Sequence, residues 1–229
     1  EEGGGRTATT SSWRQSPTLR LIRHVHAKRP LSEGHFRSIL SARRHDLTVK
    51  QYATVDEIVR HSQSSCGSLL RLVLECSGLP PPPPAASGEE EDADDDCDVV
   101  RDAASEIGAC HGLTNALRTS IPVLSNTGKV IIPADLCRKY GVRSPRYLLS
   151  ALGMGDEECR SALKFAVSDL AAEARSRLSE ARGRREDIFA ELGEEKGRDV
   201  TAAFLVGMAS ETFLDRLERR NFDLTDRSL

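Results

Sequence analysis

Apolar residues along this chain recur at spacings of three and four, the period of helices with one inward face, almost from end to end. Ser32 stands where a helix cap is expected, ahead of the apolar positions Phe36, Ile39 and Leu40. Thr54 and Glu57 form an S/T-x-x-E capping box, and Val55, Ile58, Val59, Cys66, Leu69, Leu70 and Val73 follow as one apolar stripe that Gly78 stops. A further stripe of Val100, Ala103, Ala104, Ile107, Cys110, Leu113 and Leu117 predicts a helix to about Arg118. Pro122 and the turn residues at 125–128 then predict a loop. Residues 129–132 read as a short extended segment, after which Pro133 opens a small helix over 134–140 that Gly141 ends.

Two more helices are expected downstream. One runs from about Asp156 to Arg182 with Cys159, Leu163, Ala166, Val167, Leu170, Ala174, Leu178 and Ala181 inward. The last covers roughly 199–219 and offers Val200, Ala203, Phe204, Met208, Phe213, Leu214 and Leu217 to the core, with the stretch at 201–209 read as core. No two alternating segments pair as a hairpin, and no internal repeat is visible. The pattern predicts an all-α fold with tight helix contacts.

Composition changes the picture in two places. Residues 89–98 hold eight acidic side chains and no basic one, and without them the formal net charge of -3 becomes +5. This run follows five prolines at 80–84, so residues 79–98 read as a disordered, solvent-facing insertion between two helices. At the other extreme, residues 1–31 form a basic, partly disordered arm, and 3–32 contain Arg6, Arg14, Arg20, Arg23 and Arg29 but no acid. An arm of this kind faces nucleic acid, anionic lipid or an acidic protein, and its Arg- and Ser-rich, acid-poor composition is that of organelle-import segments. The remainder, 32–229, reads as a single helical domain. No window approaches 18 consecutive apolar residues, which excludes a helical membrane span.

Candidate chemistry is sparse. The six cysteines form no C-x-x-C pair and no zinc-ligand spacing with histidine, and read as reduced structural thiols. His24, His26, His35 and His45 lack a completing carboxylate or thiol and read as scattered surface groups, while His111 reads as a hydrogen-bonded interior histidine. Asn115 and Arg118 are polar positions on an apolar helix and are expected to anchor the loop that follows.

The segment from Ala104 to Val142 carries a more specific signal. It contains Gly108, Leu113, Thr114, Asn115, Leu117 and Arg118, then Gly128, Lys129, Pro133 and Leu136, then Tyr140, Gly141 and Val142. In order and loop landmarks this resembles the squalene/phytoene synthase family, with its "TN-x-LR" core helix, "Gly-basic-x-x-x-Pro-x-x-Leu" segment and "Tyr-Gly-Val" helix end. Residues 42–47, 52–57 and 64–68 resemble the family's preceding helices. The resemblance implies a squalene/phytoene synthase-like (isoprenoid synthase type) helical bundle over about 35–229, lacking the family's N-terminal helices. It makes Thr114, Asn115, Arg118, Gly128, Lys129, Pro133, Tyr140 and Gly141 signature positions with structural roles.

Catalysis in that family ionises an allylic diphosphate, with Mg2+ held by two aspartate-rich motifs. The resemblance places the second motif, Asp-x-x-x-Asp, immediately after Arg118, where this chain has Thr119, Ser120, Ile121, Pro122 and Val123. The first motif is expected upstream of about residue 35, and residues 1–34 do not supply it. The acidic run at 89–98 is no substitute, because metal catalysis needs fixed geometry. No catalytic residue, metal or cofactor is therefore expected, and the chain reads as a pseudoenzyme. One branch of the family, the mitochondrial assembly factors of respiratory complex I, shares the aspartate-free loop, the segment at 129–135, and an ending with Phe213, Leu214 and 221–224. The resemblance implies a mitochondrial protein of the matrix or matrix face of the inner membrane, binding protein subunits of complex I, its assembly intermediates or another large mitochondrial complex. A prenyl or lipid ligand, and RNA on the basic arm, stay open as further partners. So do two other functions: an active Mg2+-dependent prenyl-diphosphate condensing transferase, and an accessory protein of the mitochondrial ribosome.

Overall fold

The structure, a computed structural model, describes residues 16–81, 98–142, 148, 152–153 and 155–226. Within these the secondary structure is helical throughout: α1 (Pro17–Lys28), α2 (Glu33–Thr48), α3 (Val55–Ser62), a π turn (Gln63–Gly67), α4 (Ser68–Ser77), α5 (Asp98–Thr127), α6 (Ala134–Lys139), α7 (Glu157–Gly183), α8 (Arg185–Ala203) and α9 (Val206–Arg219). Most of the expected insertion, residues 82–97, and the first half of the basic arm lie outside the described residues, as does Cys97. The five described cysteines are free thiols. No described helix is long and apolar enough to cross a membrane.

α5 is the spine of the bundle, with α7, the π turn, α3, α4 and α9 packed around it. Its stripe from Val100 to Leu117 is fully buried as the periodicity predicts, and α7 answers it with Cys159, Leu163, Ala166, Val167, Leu170, Ala174, Leu178 and Ala181. The alanines at these positions, Ala103 and Ala104 on α5 and Ala166, Ala174 and Ala181 on α7, let the helix axes approach closely. Several expected caps are present. Thr54 Oγ1 accepts from Glu57 N at 3.2 Å, while the Glu57 carboxylate reaches back to Ala53 N at 2.6 Å, one residue beyond the usual box. Gly78 ends α4 at φ 108°, and Asp156 Oδ1 caps α7 through Cys159 N at 2.9 Å.

The structure corrects the sequence reading in four places. Pro122 does not end its helix: α5 runs on to Thr127. The carbonyl that Pro122 cannot bond belongs to Arg118, and both residues are exposed, so water satisfies it, while buried Leu124 holds the continuing turn on the core. The long stripe from Val55 to Val73 is not continuous, because the π turn adds a residue and shifts the phase. Leu70, Leu72 and Leu74 turn inward, and Leu69 and Val73 outward. Leu40 is likewise exposed, the inward side of α2 being marked by Ala42. Finally, the C-terminal region is two helices broken at Phe204–Leu205, with α8 beginning already at Arg185 and kinked at Gly193. That break turns Leu205 and Met208 to solvent, so the stretch at 201–209 is only partly core.

Candidate functional site

A cavity of about 320 Å³ lies between the C-terminal end of α2, α3 with its π turn, and the second half of α5. The π turn shapes its wall. Ser62 Oγ donates to Ile58 O at 2.8 Å and Ser65 Oγ to His61 O at 2.9 Å, occupying carbonyls around the widened turn. This brings Ser65 and Cys66 to the lining, beside Gly112 and Ala116 of α5. One end is closed by the segment after α5, which is stitched to the α2–α3 loop. Val130 N donates to Lys50 O at 3.0 Å, Ala134 N to Tyr52 O at 2.9 Å, and Gln51 Nε2 to Ile132 O at 3.0 Å.

The polar end of the cavity is built around Asp46. Tyr52 OH donates to its carboxylate at 3.1 Å, His61 Nε2 lies at 3.3 Å, Lys129 Nζ at 3.4 Å and Arg43 Nη1 at 3.0 Å. Lys129 also stands over the Tyr52 ring, 5.4 Å from its centroid. Burial works to raise the Asp46 carboxyl, but hydrogen bonding and charge from His61, the Lys129 ammonium and the Tyr52 hydroxyl outweigh it and hold it well below the usual carboxylate range. The Tyr52 hydroxyl moves the other way, pushed up by burial and then by the adjacent carboxylate. Ile58, Ala116, Val123 and Ile131 make the apolar wall. Asp46 is the single carboxylate among the lining residues, set against two cations and an imidazole.

That donor set does not fit a Mg2+–diphosphate centre. Such a centre needs several unengaged carboxylate oxygens converging on one point, and the one carboxylate present is already engaged by four neighbours. Thr119 and Val123 line the cavity from α5 one turn apart, and they offer a hydroxyl and a hydrocarbon. Thr119 Oγ1 is itself occupied, donating to Asn115 O at 2.7 Å. Among the described residues no three His, Cys, Asp or Glu side chains are grouped to hold a metal.

The signature positions separate in space. Asn115 and Lys129 reach the cavity. Asn115 Nδ2 lies 2.9 Å from His111 Nε2 and its Oδ1 accepts from Arg118 Nη2 at 2.8 Å, while His111 Nδ1 is 3.2 Å from Ser210 Oγ on α9. The amide donating to Nε2 sets the neutral tautomer with the proton on Nδ1, and burial, with the nearby Arg118 charge, lowers the imidazole pKa in agreement. Asn115 and Arg118 thus tie α5 to itself and, through His111, to α9. Thr114 is buried near Cys110, whose thiol burial pushes up to about 11. Gly128 and Gly141 adopt φ of 69° in the turns after α5 and α6. Pro133 is buried at the start of α6. Tyr140 OH donates to Asp169 at 2.7 Å and its ring stacks on Phe165. The cavity residues that sequence reasoning passed over as site candidates are Arg43, Asp46, Tyr52 and His61. They belong to three different segments, and no spacing announces that they converge.

Comparison with known proteins agrees with the architecture. The solved squalene synthase HpnC from Alicyclobacillus acidocaldarius superposes with a TM-score of 0.65 at 16% identity, covering 91% of this chain and 67% of that one. A dehydrosqualene synthase solved with a ligand gives 0.64 at 18% identity, covering 93% and 64%. Among named relatives, the NADH dehydrogenase (ubiquinone) complex I, assembly factor 6 homolog of Drosophila melanogaster is 28% identical over 214 residues, 93% of this chain and 54% of the relative. The assembly factor 6 of Homo sapiens is 27% identical over 200 residues, 87% and 50%. The chain therefore spans about half the length of the relatives it matches. The family model for squalene/phytoene synthase matches residues 6–229, and the chain therefore belongs to the squalene/phytoene synthase family.

Proposed function

We propose that this protein is a non-catalytic member of its family that acts in the assembly of respiratory complex I in mitochondria, on the matrix side, by binding protein subunits or assembly intermediates. The observation that carries the non-catalytic part is the cavity itself. The two positions at which the family resemblance expects metal-binding aspartates, 119 and 123, both line it, and both lack a carboxylate. The remaining acid, Asp46, is engaged by four neighbours, two of them the cations Arg43 and Lys129. Nothing there gathers the cations that a departing diphosphate requires, so the same observation argues against an active condensing transferase. The assembly role is supported by the names of the fly and human relatives.

The test has two arms. In native gels of mitochondria from the source organism, the protein is expected to migrate with complex I subunits or their subassemblies, and its removal is expected to deplete assembled complex I. The purified protein, given prenyl diphosphate and Mg2+, is expected to release no pyrophosphate. Robust Mg2+-dependent release would overturn the non-catalytic reading, and unchanged complex I without the protein would overturn the assembly role.

A further inference from the structure

A second cavity, of about 450 Å³, opens where α8 breaks into α9. It shares no lining residue with the one around Asp46. Its floor is aliphatic: Ile107 of α5, Leu178 of α7 and Ile188 of α8 all line it, and each is otherwise buried. Gly207 of α9 adds no side chain there. A Cβ on it would stand 2.9 Å from Leu178 Cδ1, so any other residue would intrude on the floor. Leu205 and Met208 form the rim and are 56% and 55% exposed.

The polar side of this slot is cationic. Arg182 and Arg185 line it, and no carboxylate does. Arg182 is committed, with both terminal nitrogens donating to Glu211 at 2.6 Å. Thr201, the neutral polar side chain in the lining, is committed too, donating to Gly197 O at 2.8 Å. Arg185 is exposed and makes no ion pair among the described residues; its guanidinium stands 5.6 Å from the centroid of the Phe189 ring. One cation is left to meet a ligand.

We propose that this slot binds a free long-chain carboxylate, with its alkyl chain along Ile107, Leu178 and Ile188 and its head against Arg185. Small-ligand sites are concave, mostly apolar and furnished with a few polar groups, at roughly 300–1,000 Å³. Taken at roughly 30 Å³ for each methylene-sized group, the volume holds one chain of about a dozen carbons with its head and leaves no room for a second chain. The planar guanidinium offers a carboxylate two parallel N–H groups. One free cation matches one negative charge, not a diphosphate or a nucleic acid. A partner helix does not fit, because four helices meet here at a break, whereas a docked helix needs a straight trough between two neighbours. The inference stands apart from the assembly role, and either can fail alone.

The experiment titrates the full chain with laurate below its micelle concentration, and with dodecanol as a chain of equal length without the charge. Wild type is expected to take up one laurate per protein. Arg185→Gln is expected to weaken laurate about tenfold and to leave dodecanol unchanged. Leu205→Ser/Met208→Ser is expected to weaken both ligands about threefold. These side chains are exposed, so circular dichroism and the melting midpoint should match wild type. Absence of saturable laurate uptake, the result expected if another protein segment fills the slot, overturns the proposal. So does uptake that both variants leave unchanged, or an equal loss of laurate and dodecanol in Arg185→Gln. Vesicles of phosphatidylglycerol that bind the protein through Leu205 and Met208, while free laurate does not bind, would assign the rim to a membrane surface and overturn it as well.

Discussion

A Cβ placed on Gly108 would stand 2.3 Å from both the Cα and the amide nitrogen of Gly67, so α5 and the π turn meet backbone against backbone. Neither chain can yield there by rotating a side chain. Gly108→Ala is expected to force the elements apart and cost about 3 kcal/mol, the upper range for overpacking. Gly34, near the start of α2, would place a Cβ in open space, and Gly34→Ala is expected to gain about 0.5 kcal/mol from reduced chain entropy. Urea unfolding of the two variants checks the contrast, and equal midpoints would refute the close contact.

Asp46 holds the polar end of the cavity, and Asp46→Asn would leave Lys129 and Arg43 without their shared counter-ion. At pH 7 the expected loss is about 1–2 kcal/mol, allowing for partial solvent screening. The folded carboxyl titrates below its ordinary value. Its stabilisation is therefore fully present above about pH 4 and is lost as pH falls through the folded value. The gap between wild type and Asp46→Asn should narrow on acidification. A gap that widens below about pH 4 would contradict the arrangement.

Pro122 sits inside α5 on its exposed side. Pro122→Ala restores an N–H for the Arg118 carbonyl and removes the ring clash. The gain should be about 1–2 kcal/mol, once the greater freedom of the unfolded alanine chain is deducted from the helix penalty of proline. Thermal melts check it, and a lower midpoint would mean that the proline ring contributes to how α5 is held on the core.

Thr119 and Val123 lie one turn apart on the cavity side of α5, so Thr119→Asp/Val123→Asp sets two carboxylates about 6 Å apart by their Cβ atoms. Mg2+ at millimolar level is expected to raise the melting midpoint of this variant by a few degrees and to leave wild type unchanged. An equal rise in wild type would show that the native cavity already holds the ion.

Much of this fold is local in origin and so can be read in sequence. The capping box at Thr54 and Glu57, the stop at Gly78 and the inward stripes of α5 and α7 depend on residues within a turn or two of each other. The π turn is where that logic stops. A sequence carries no mark of a backbone approach such as that between Gly67 and Gly108 or of the π turn at 63–67, and beyond that turn Leu69 and Val73 face outward. Asp46 was equally silent, because its partners His61 and Lys129 come from segments far along the chain.

The sequence by itself determined the helical class, the inward stripes of α5 and α7 and the absence of carboxylates at 119 and 123, since periodicity, caps and residue identity are properties of the chain. Tertiary structure decided the rest. It carried α5 past Pro122, because solvent satisfies one lost carbonyl while Leu124 gains burial. It gathered Arg43, Asp46, Tyr52, His61 and Lys129 at one end of a cavity, because the loop after α5 is hydrogen-bonded to the loop after α2. It also left Leu40, Leu47, Leu69 and Val73 in solvent, because which side of an amphipathic helix is covered depends on the helices that pack around it.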